Sequence, residues 1–207
     1  LLQLFRFELI YFGYSLESFG ARYSTPIVKP LFWFSKYYQQ DPVEQSVGGS
    51  PFQIRAATSK DLTSLAEILA DSFHSRAGMG GWVYPLLRLG IYEDLRNRLN
   101  SCSPRYICLV AVSPSTIGSN GGDRLVGTVE MALRSTHPWP FGGSPQSPYL
   151  SNLAVHHDCR RQGAAQQLLT SCERLALRWG FQDLYLHVLE NNHQARRLYF
   201  KLGYRLH

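Results

Sequence analysis

A basic, glycine-containing turn separates two apolar stretches in residues 149–165, YLSNLAVHHDCRRQGAA. The stretch that follows Pro148 is apolar and β-compatible, which predicts a strand. Beyond Gly163, apolar residues recur at three- and four-residue steps, which predicts a helix. A turn of this kind brings free backbone N–H groups, the positive end of a helix dipole and the guanidinium groups of Arg160 and Arg161 to one point. The arrangement suits a pyrophosphate, although many Arg-Arg pairs are merely solvated surface.

A second motif lies downstream of the turn. Residues 184–188, LYLHV, predict another strand, and residues 192–199 have the form N-x-x-A-x-x-x-Y and are followed by Gly203-Tyr204. The turn and this motif together resemble the two signatures of the GNAT (Gcn5-related) N-acetyltransferase superfamily, over residues 52–207. The resemblance implies an α/β (α+β) fold with a mixed, mostly antiparallel sheet, splayed central strands and flanking helices. It also implies an acyltransferase that uses acetyl-CoA as co-substrate.

The resemblance implies which residues of this chain contact the cofactor. Exposed main-chain groups of Leu153, Ala154 and Val155 are expected to pair with the pantetheine arm of acetyl-CoA. Backbone N–H groups of the turn are expected to hold the pyrophosphate, from Arg160, Arg161, Gln162, Gly163, Ala164 and Ala165. Asn192 is expected to contact the cofactor at the start of the last helix, and an ordinary helix N-cap is the other interpretation of this residue.

Acetyl transfer to an amine needs a group that takes the proton of the amine and a group that protonates the departing thiolate. Tyr199 matches the tyrosine of the family's second motif, and a phenol with a pKa of about 10 suits the role of the acid. The alternative is a core aromatic residue on a helix face. The family resemblance therefore makes Tyr199 both a catalytic and a cofactor-binding candidate.

Two residues are the main candidates for the base that takes the amine proton. Tyr149 opens the strand before the turn and His187 lies in the strand before the second motif. The pair is similar to the tyrosine and histidine of the eukaryotic N-terminal acetyltransferase that acts on Met-initiated chains, where they relay the amine proton through water. A histidine with a pKa of about 6.5 suits this role near neutral pH. A surface tyrosine and a core histidine are the alternative, and Glu130 and His156 are weaker candidates for the base.

Composition restricts the classes of partner. The chain has 207 residues and a net charge of +6, and residues 1–50 are neutral because they hold four basic and four acidic residues. The excess positive charge therefore lies in residues 51–207, where it can steer an anionic cofactor. No basic run with interleaved aromatic residues is present, so we expect no nucleic acid partner. The four cysteines have no metal-ligand spacing, so we expect no metal and a reducing compartment.

The first forty residues differ from the rest because they hold twelve aromatic residues. Such a segment packs on its own domain or on a second copy, docks on a membrane surface or a membrane-associated protein assembly, or acts as a targeting peptide. Residues 41–51 have the composition of a linker. The sequence thus predicts an aromatic N-terminal extension and linker at 1–50 that anchors a GNAT domain at 51–207. The C-terminal strands of that domain are expected to be truncated.

The remaining elements follow the order of the family. We predict a short strand at 52–55, helices after Thr58 and within 82–99, and strands at 106–112 and 124–133. Residues 136–148 read as a long Pro/Gly connection, of the kind that often binds substrate.

The predicted reaction is acetyl transfer to a protein amine, at an N-terminus or at a lysine. The alternatives are a small-molecule amine as acceptor, or a catalytically idle subunit that binds a larger assembly through residues 1–40. The last part of the chain also looks like GNAT enzymes of plastids and cyanobacteria. We therefore expect a location in the cytoplasm or the plastid stroma, with peripheral membrane association through the N-terminal extension.

Overall fold

The computed structural model describes residues 31–37, 52–73, 83–101, 103, 105–113, 123–135 and 146–206. These residues form seven strands, four α-helices and two short 3-10 helices, Ser59–Asp61 and His157–Cys159. The strands are β1 Leu31–Tyr37, β2 Gln53–Ala56, β3 Tyr106–Ser113, β4 Arg124–Ser135, β5 Gln146–Val155, β6 Asp183–Leu189 and β7 Arg205–Leu206. The helices are α1 Leu62–Phe73, α2 Val83–Asn100, α3 Ala164–Arg178 and α4 His193–Lys201. None of these helices is long and apolar enough to cross a membrane.

The seven strands form one sheet in the order β2-β3-β4-β5-β6-β1-β7. Neighbouring strands are antiparallel except β5 and β6, which are parallel. This mixed and mostly antiparallel sheet with flanking helices confirms the predicted fold class. The one parallel pair joins the strand before the basic turn to the strand before the second motif.

Helices cover both faces of the sheet because its strands alternate in burial. Leu184, Leu186 and Val188 of β6 are buried in one apolar cluster, which also contains residues of α3 and α4. Cys108 and Val110 of β3 point to the other face and pack in a second cluster with residues of α1 and α2. The intervening β6 residues therefore face the side of α1 and α2, because side chains alternate along a strand.

The start of α1 shows the predicted capping signal. The Asp61 carboxylate accepts the backbone N–H of Thr58 at 2.7 Å and two bonds from the Arg55 guanidinium at 2.7 and 2.8 Å. These donors, the Arg55 bonds first, lower the pKa of Asp61 to about 2. The acidic residue at the third position of the signal thus fixes α1 to the end of β2.

Residues 31–37 lie inside the sheet, although the sequence indicated that they belong to a separate extension. They form β1, which is inserted between β6 and β7, with Phe34 opposite Leu186. The Phe34 side chain is fully buried, and its ring centroid lies 5.8 Å from that of Tyr199. At the end of the strand, Lys36 Nζ lies 3.1 Å from Glu173 Oε1 on α3. This part of the aromatic segment therefore packs on its own domain.

The rest of the predicted extension, residues 1–30 and 38–51 with the linker, lies outside the described residues. The same holds for residues 136–145 of the predicted Pro/Gly connection. The anchoring role of the extension stays a prediction.

The burial of Phe34 predicts the stability of a variant. Replacing Phe34 with Ala should lower the free energy of unfolding by about 3–5 kcal/mol, because the substitution removes a fully buried ring and leaves a cavity. Tyr37→Ala on the same strand is the control, since Tyr37 is 61% exposed and should change stability by less than about 1 kcal/mol. Urea unfolding measures both, and equal small effects would show that β1 does not belong to the folded domain.

Candidate active site

The two parallel strands of the sheet separate soon after they meet. Only two residue pairs join them, Tyr149 with Tyr185 and Leu150 with Leu186, although β5 continues to Val155 and β6 to Leu189. On its other side, β5 stays paired with β4 up to Val155. The β6-facing edge of residues 151–155 therefore has no β6 partner among the described strands. Leu153, Ala154 and Val155, predicted to hold the pantetheine arm, lie along this gap.

A β-bulge lies at the point of separation. Thr128 pairs with Ala154 and Glu130 pairs with Ser151, so the two residues Asn152 and Leu153 oppose the single residue Val129 of β4. Asn152 has a φ of 54°, in the left-handed region that asparagine tolerates better than most residues. A bulge bends its strand and increases the local twist. The gap between β5 and β6 thus begins where β5 bends.

Tyr149 and His187 meet across these strands. The Tyr149 hydroxyl lies 3.0 Å from His187 Nδ1, and the two ring centroids are 5.5 Å apart. Both side chains lie on the face of the sheet that α1 and α2 cover, because Leu150 and Leu186 point to the other face. The structure therefore brings together the two residues predicted as the base, at the mouth of the gap.

The surroundings of His187 favour its neutral form. The imidazole is half-buried, and burial first and the positive charge of Arg134 second lower its pKa. The Arg134 guanidinium carbon lies 4.8 Å from the centroid of the Tyr149 ring. A neutral imidazole has a nitrogen that can accept a proton, so the pair can act as a base at neutral pH.

Tyr199, the predicted acid, lies on the opposite face. Its side chain is 6% exposed and packs in the cluster with Leu186 and Val188, with its ring centroid 5.7 Å from that of Tyr204. The three predicted catalytic residues therefore do not form one cluster. Tyr149 and His187 lie on the face of the sheet that α1 and α2 cover, and Tyr199 is buried in the cluster on the other face.

The basic turn after β5 ends at an uncapped helix. Gly163 occupies the N-cap position of α3 with a φ of 93°, and as a glycine it gives the first N–H groups of the helix no side-chain cap. Arg161 has a φ of 64°, and Gln162 Nε2 donates to the Asp158 carbonyl at 3.1 Å. The free N–H groups of a helix start and its dipole favour an anion. The exposed Arg160 and Arg161 add positive charge at this point.

Asn192 is the N-cap of α4. Its Oδ1 accepts the backbone N–H of Ala195 at 3.1 Å. This bond satisfies one of the free donors of the helix start. The N-cap interpretation is therefore correct, and the contact of Asn192 with the cofactor stays a prediction.

The weaker candidates for the base have other partners. Glu130 is 1% exposed and its carboxylate accepts from Arg98 Nη1 at 2.6 Å, the Tyr106 hydroxyl at 2.9 Å and Asn152 Nδ2 at 2.7 Å. Donors therefore surround this carboxylate, which makes it unsuited to take a proton from a substrate. We therefore do not assign Glu130 as the base.

His156 belongs to the turn rather than to the Tyr149–His187 pair. Ligand atoms of His156, His157 and Asp158 lie within 4.8 Å of one another, a spacing that a metal ion could use. However, Arg124 Nη2 lies 3.3 Å from His156 Nδ1 and 3.4 Å from Asp158 Oδ2. Because a guanidinium already compensates this carboxylate, we interpret the cluster as a brace that ties the turn to the start of β4.

Sequence reasoning missed Arg134 and Asn152. A polar Asn inside an apolar strand is a recognised sign of irregular backbone, so Asn152 could have been identified as a bulge. Arg134 lies four residues after Glu130 in β4 and therefore on the same face. Its position over Tyr149 depends on the register of β4 against β5, which no local pattern shows.

Comparison with known proteins finds relatives of this chain. The sequence matches the acetyltransferase (GNAT) family over residues 82–204. It is 29% identical over 148 residues to GCN5-related N-acetyltransferase 10, chloroplastic, of Arabidopsis thaliana, an alignment that covers 70% of this chain and 58% of that protein. The chain therefore spans little more than half the length of this curated relative.

Solved structures share the fold. The PaiA N-acetyltransferase of Thermoplasma acidophilum in complex with coenzyme A aligns with a TM-score of 0.58 at 21% identity, over 75% of this chain and 91% of that chain. An aminoglycoside antibiotic 6'-N-acetyltransferase of Acinetobacter haemolyticus aligns with a TM-score of 0.54 at 13% identity, over 74% and 90% of the two chains. The family match spans more than half of the chain and includes both the basic turn and the N-x-x-A-x-x-x-Y segment. The chain therefore belongs to the acetyltransferase (GNAT) family.

Proposed function

We propose that this chain is an acetyl-CoA-dependent N-acetyltransferase that transfers an acetyl group to a protein amine. The observation that carries the proposal is the Tyr149–His187 pair at one end of a strand gap, whose other end leads through the basic turn to the start of α3. Tyr149, the strand edge and the proposed anion site thus follow one another along residues 149–165, and His187 joins Tyr149 from β6. Acetyl transfer from a thioester needs these three features.

The residues of the gap fit acetyl-CoA. The β6-facing edge of residues 153–155 has no β6 partner among the described strands, so its main-chain groups can pair with the amide-containing pantetheine arm as with an added strand. The Val155 carbonyl already accepts from Arg160 Nε at 3.2 Å. The N–H groups at the start of α3 and the guanidinium groups of Arg160 and Arg161 suit the pyrophosphate. Acetyl-CoA supplies an acetyl group activated as a thioester.

In this mechanism the two proton transfers take place on opposite faces of the sheet. The amine nitrogen forms a bond to the thioester carbonyl carbon, and the carbon–sulfur bond breaks. On the face of α1 and α2, the amine proton passes to the Tyr149–His187 pair. On the face of α3 and α4, Tyr199 donates the proton that the thiolate takes up, so one proton leaves nitrogen and one reaches sulfur.

The charge near the base supports a protein amine over a polycationic acceptor. Arg134 lies above Tyr149, and its charge already lowers the pKa of His187. A polyamine or an aminoglycoside would bring several further positive charges to this face, which like-charge repulsion disfavours.

An N-terminal amine suits this base better than a lysine side chain. An α-amine has a pKa of about 8, whereas that of a lysine is about 10.4. Because the pKa of His187 is lowered, its imidazole is a weak base that deprotonates the α-amine more readily. We therefore propose N-terminal acetylation as the main activity and lysine acetylation as a slower one. The chloroplastic relative supports the plastid as the site of action.

Acetylation assays with defined acceptors test the proposal. Peptides with a free N-terminus should be acetylated faster than N-blocked peptides with one lysine, and polyamines and aminoglycosides should react slowest. His187→Ala should lower kcat by about 100-fold or more, because it removes the base. His157→Ala is the control, since His157 is 68% exposed in the turn. A chain that acetylates only the small amines would contradict the protein acceptor.

The environment of His187 predicts the pH dependence of turnover. Since burial and Arg134 lower its pKa, the acidic limb of kcat/KM should lie below about pH 6.5, the value of an ordinary histidine. Arg134→Gln removes a positive charge, which should raise the pKa of His187 and move the acidic limb to higher pH.

The matched control for this prediction is Arg105→Gln. Arg105 also stacks on an aromatic ring, 5.6 Å from the centroid of Phe181, but it is not among the causes of the His187 shift. The pH profile of this variant should match that of the parent. An acidic limb that stays in place in Arg134→Gln, or moves equally in both variants, would show that His187 is not the base.

A further inference from the structure

Glu130 is an acidic residue buried in the middle of the sheet, and the proposed chemistry does not use it. Its side chain is 2% exposed, although an ionised carboxylate is costly to bury. Three side chains from three different elements donate to it: Arg98 of α2, Tyr106 of β3 and Asn152 of β5. Such a network needs an explanation beyond packing, since an apolar residue would fill this place at lower cost.

We propose that Glu130 is a positioning residue for the cofactor strand and that it acts through Asn152. The Asn152 amide donates to Glu130 Oε1 at 2.7 Å from the bulge where β5 leaves β6. This bond would hold residue 152 in its left-handed conformation and so set the direction of residues 153–155. The inference rests on the proposed function, because the edge of these residues matters only if it binds acetyl-CoA.

The hydrogen bond between Asn152 and Glu130 can stabilise an unusual backbone conformation. At a φ of 54°, Asn152 occupies a region that most residues avoid, and a strand has no intrinsic reason to adopt it. Opposite the bulge, only Val129 is available as a partner on β4, so the ladder leaves part of the backbone of Asn152 and Leu153 unpaired. The side-chain bond to Glu130 therefore supplies a constraint that the ladder lacks at this point.

The other two donors make the buried carboxylate possible. Arg98 Nη1 lies 2.6 Å from Glu130 Oε2, and the Tyr106 hydroxyl lies 2.9 Å from the same oxygen. Arg98 also pairs with Asp94 one turn earlier on α2. The positive charge of Arg98 offsets the burial of the anion, and Oε1 is directed at Asn152. Through this network, α2 is connected to β5, the strand that lines the gap between β5 and β6.

Two single variants break the bond in different ways. Asn152→Asp keeps the size and the tolerance for a positive φ but places a carboxylate against Glu130. Glu130→Gln keeps the shape of the side chain, but glutamine has only one acceptor oxygen. It therefore cannot accept from both Asn152 and Arg98 as the two carboxylate oxygens do. Each variant should raise the KM for acetyl-CoA about tenfold or more, because a partly buried hydrogen bond to a charged group is lost. The KM for the peptide acceptor should change less than about twofold if the bond acts on the cofactor strand.

The double variant Glu130→Gln with Asn152→Asp supplies the rescue. The Gln amide can donate to the new carboxylate, while its carbonyl oxygen accepts from Arg98 and Tyr106. The bond is thus restored with reversed direction and unchanged net charge. The KM for acetyl-CoA should return to within about threefold of the parent, well below the product of the two single effects. A merely structural role for Glu130 predicts lower thermal stability without this specific change in KM.

Calorimetric titration with coenzyme A separates the possible outcomes. A parent chain that does not bind coenzyme A would overturn the proposed function together with this inference. A parent that binds, with single variants that bind equally well, would overturn the positioning role alone. Asn152→Gly serves if the charged variants fail to fold, since glycine adopts the same φ without the amide. It should weaken coenzyme A binding as well, and unchanged affinity in this variant would also overturn the inference.

Discussion

The separation of β5 from β6 is the constraint on which the rest of the site depends. Two parallel strands that stayed paired would bury their main-chain groups in each other and leave no edge for a ligand. Here the pairing stops after Leu150 and Leu186, and the bulge at Asn152 turns β5 away. The gap lies between the two apolar clusters, so helices support the sheet on both faces around it. The sheet is thus packed on both faces although its central strands part.

The gap also separates two electrostatic environments. On one face, burial and the charge of Arg134 keep His187 neutral beside the Tyr149 hydroxyl. On the other face, Tyr199 is packed among the aromatic rings of Phe34 and Tyr204. At the end of β5, the uncapped start of α3 concentrates positive potential. The alternation of side chains along β5 and β6 thus places Tyr149 and His187 on one face of the sheet, and Leu150 and Leu186, which pack in the same cluster as Tyr199, on the other.

Much of this arrangement was predictable from local sequence. Gly163 marks a position with positive φ before a helix, Asn192 marks an N-cap, and the two motifs identify the family. The place of residues 31–37 was not predictable, because an aromatic-rich segment fits a helix or an extension as well as a strand. Its pairing with β6 depends on contacts with residues far along the chain. The bond between Glu130 and Asn152 is equally non-local, since it requires the register of β4 and β5.

Amide hydrogen exchange with and without coenzyme A tests most directly whether the gap between β5 and β6 is the cofactor site. The account predicts slower exchange on binding at residues 153–155 and at 164–166, the strand edge and the start of α3. In Gly163→Asp, which places a negative charge and a strained backbone at the turn, this protection should disappear. Protection confined to other parts of the chain, or unchanged in Gly163→Asp, would contradict the account.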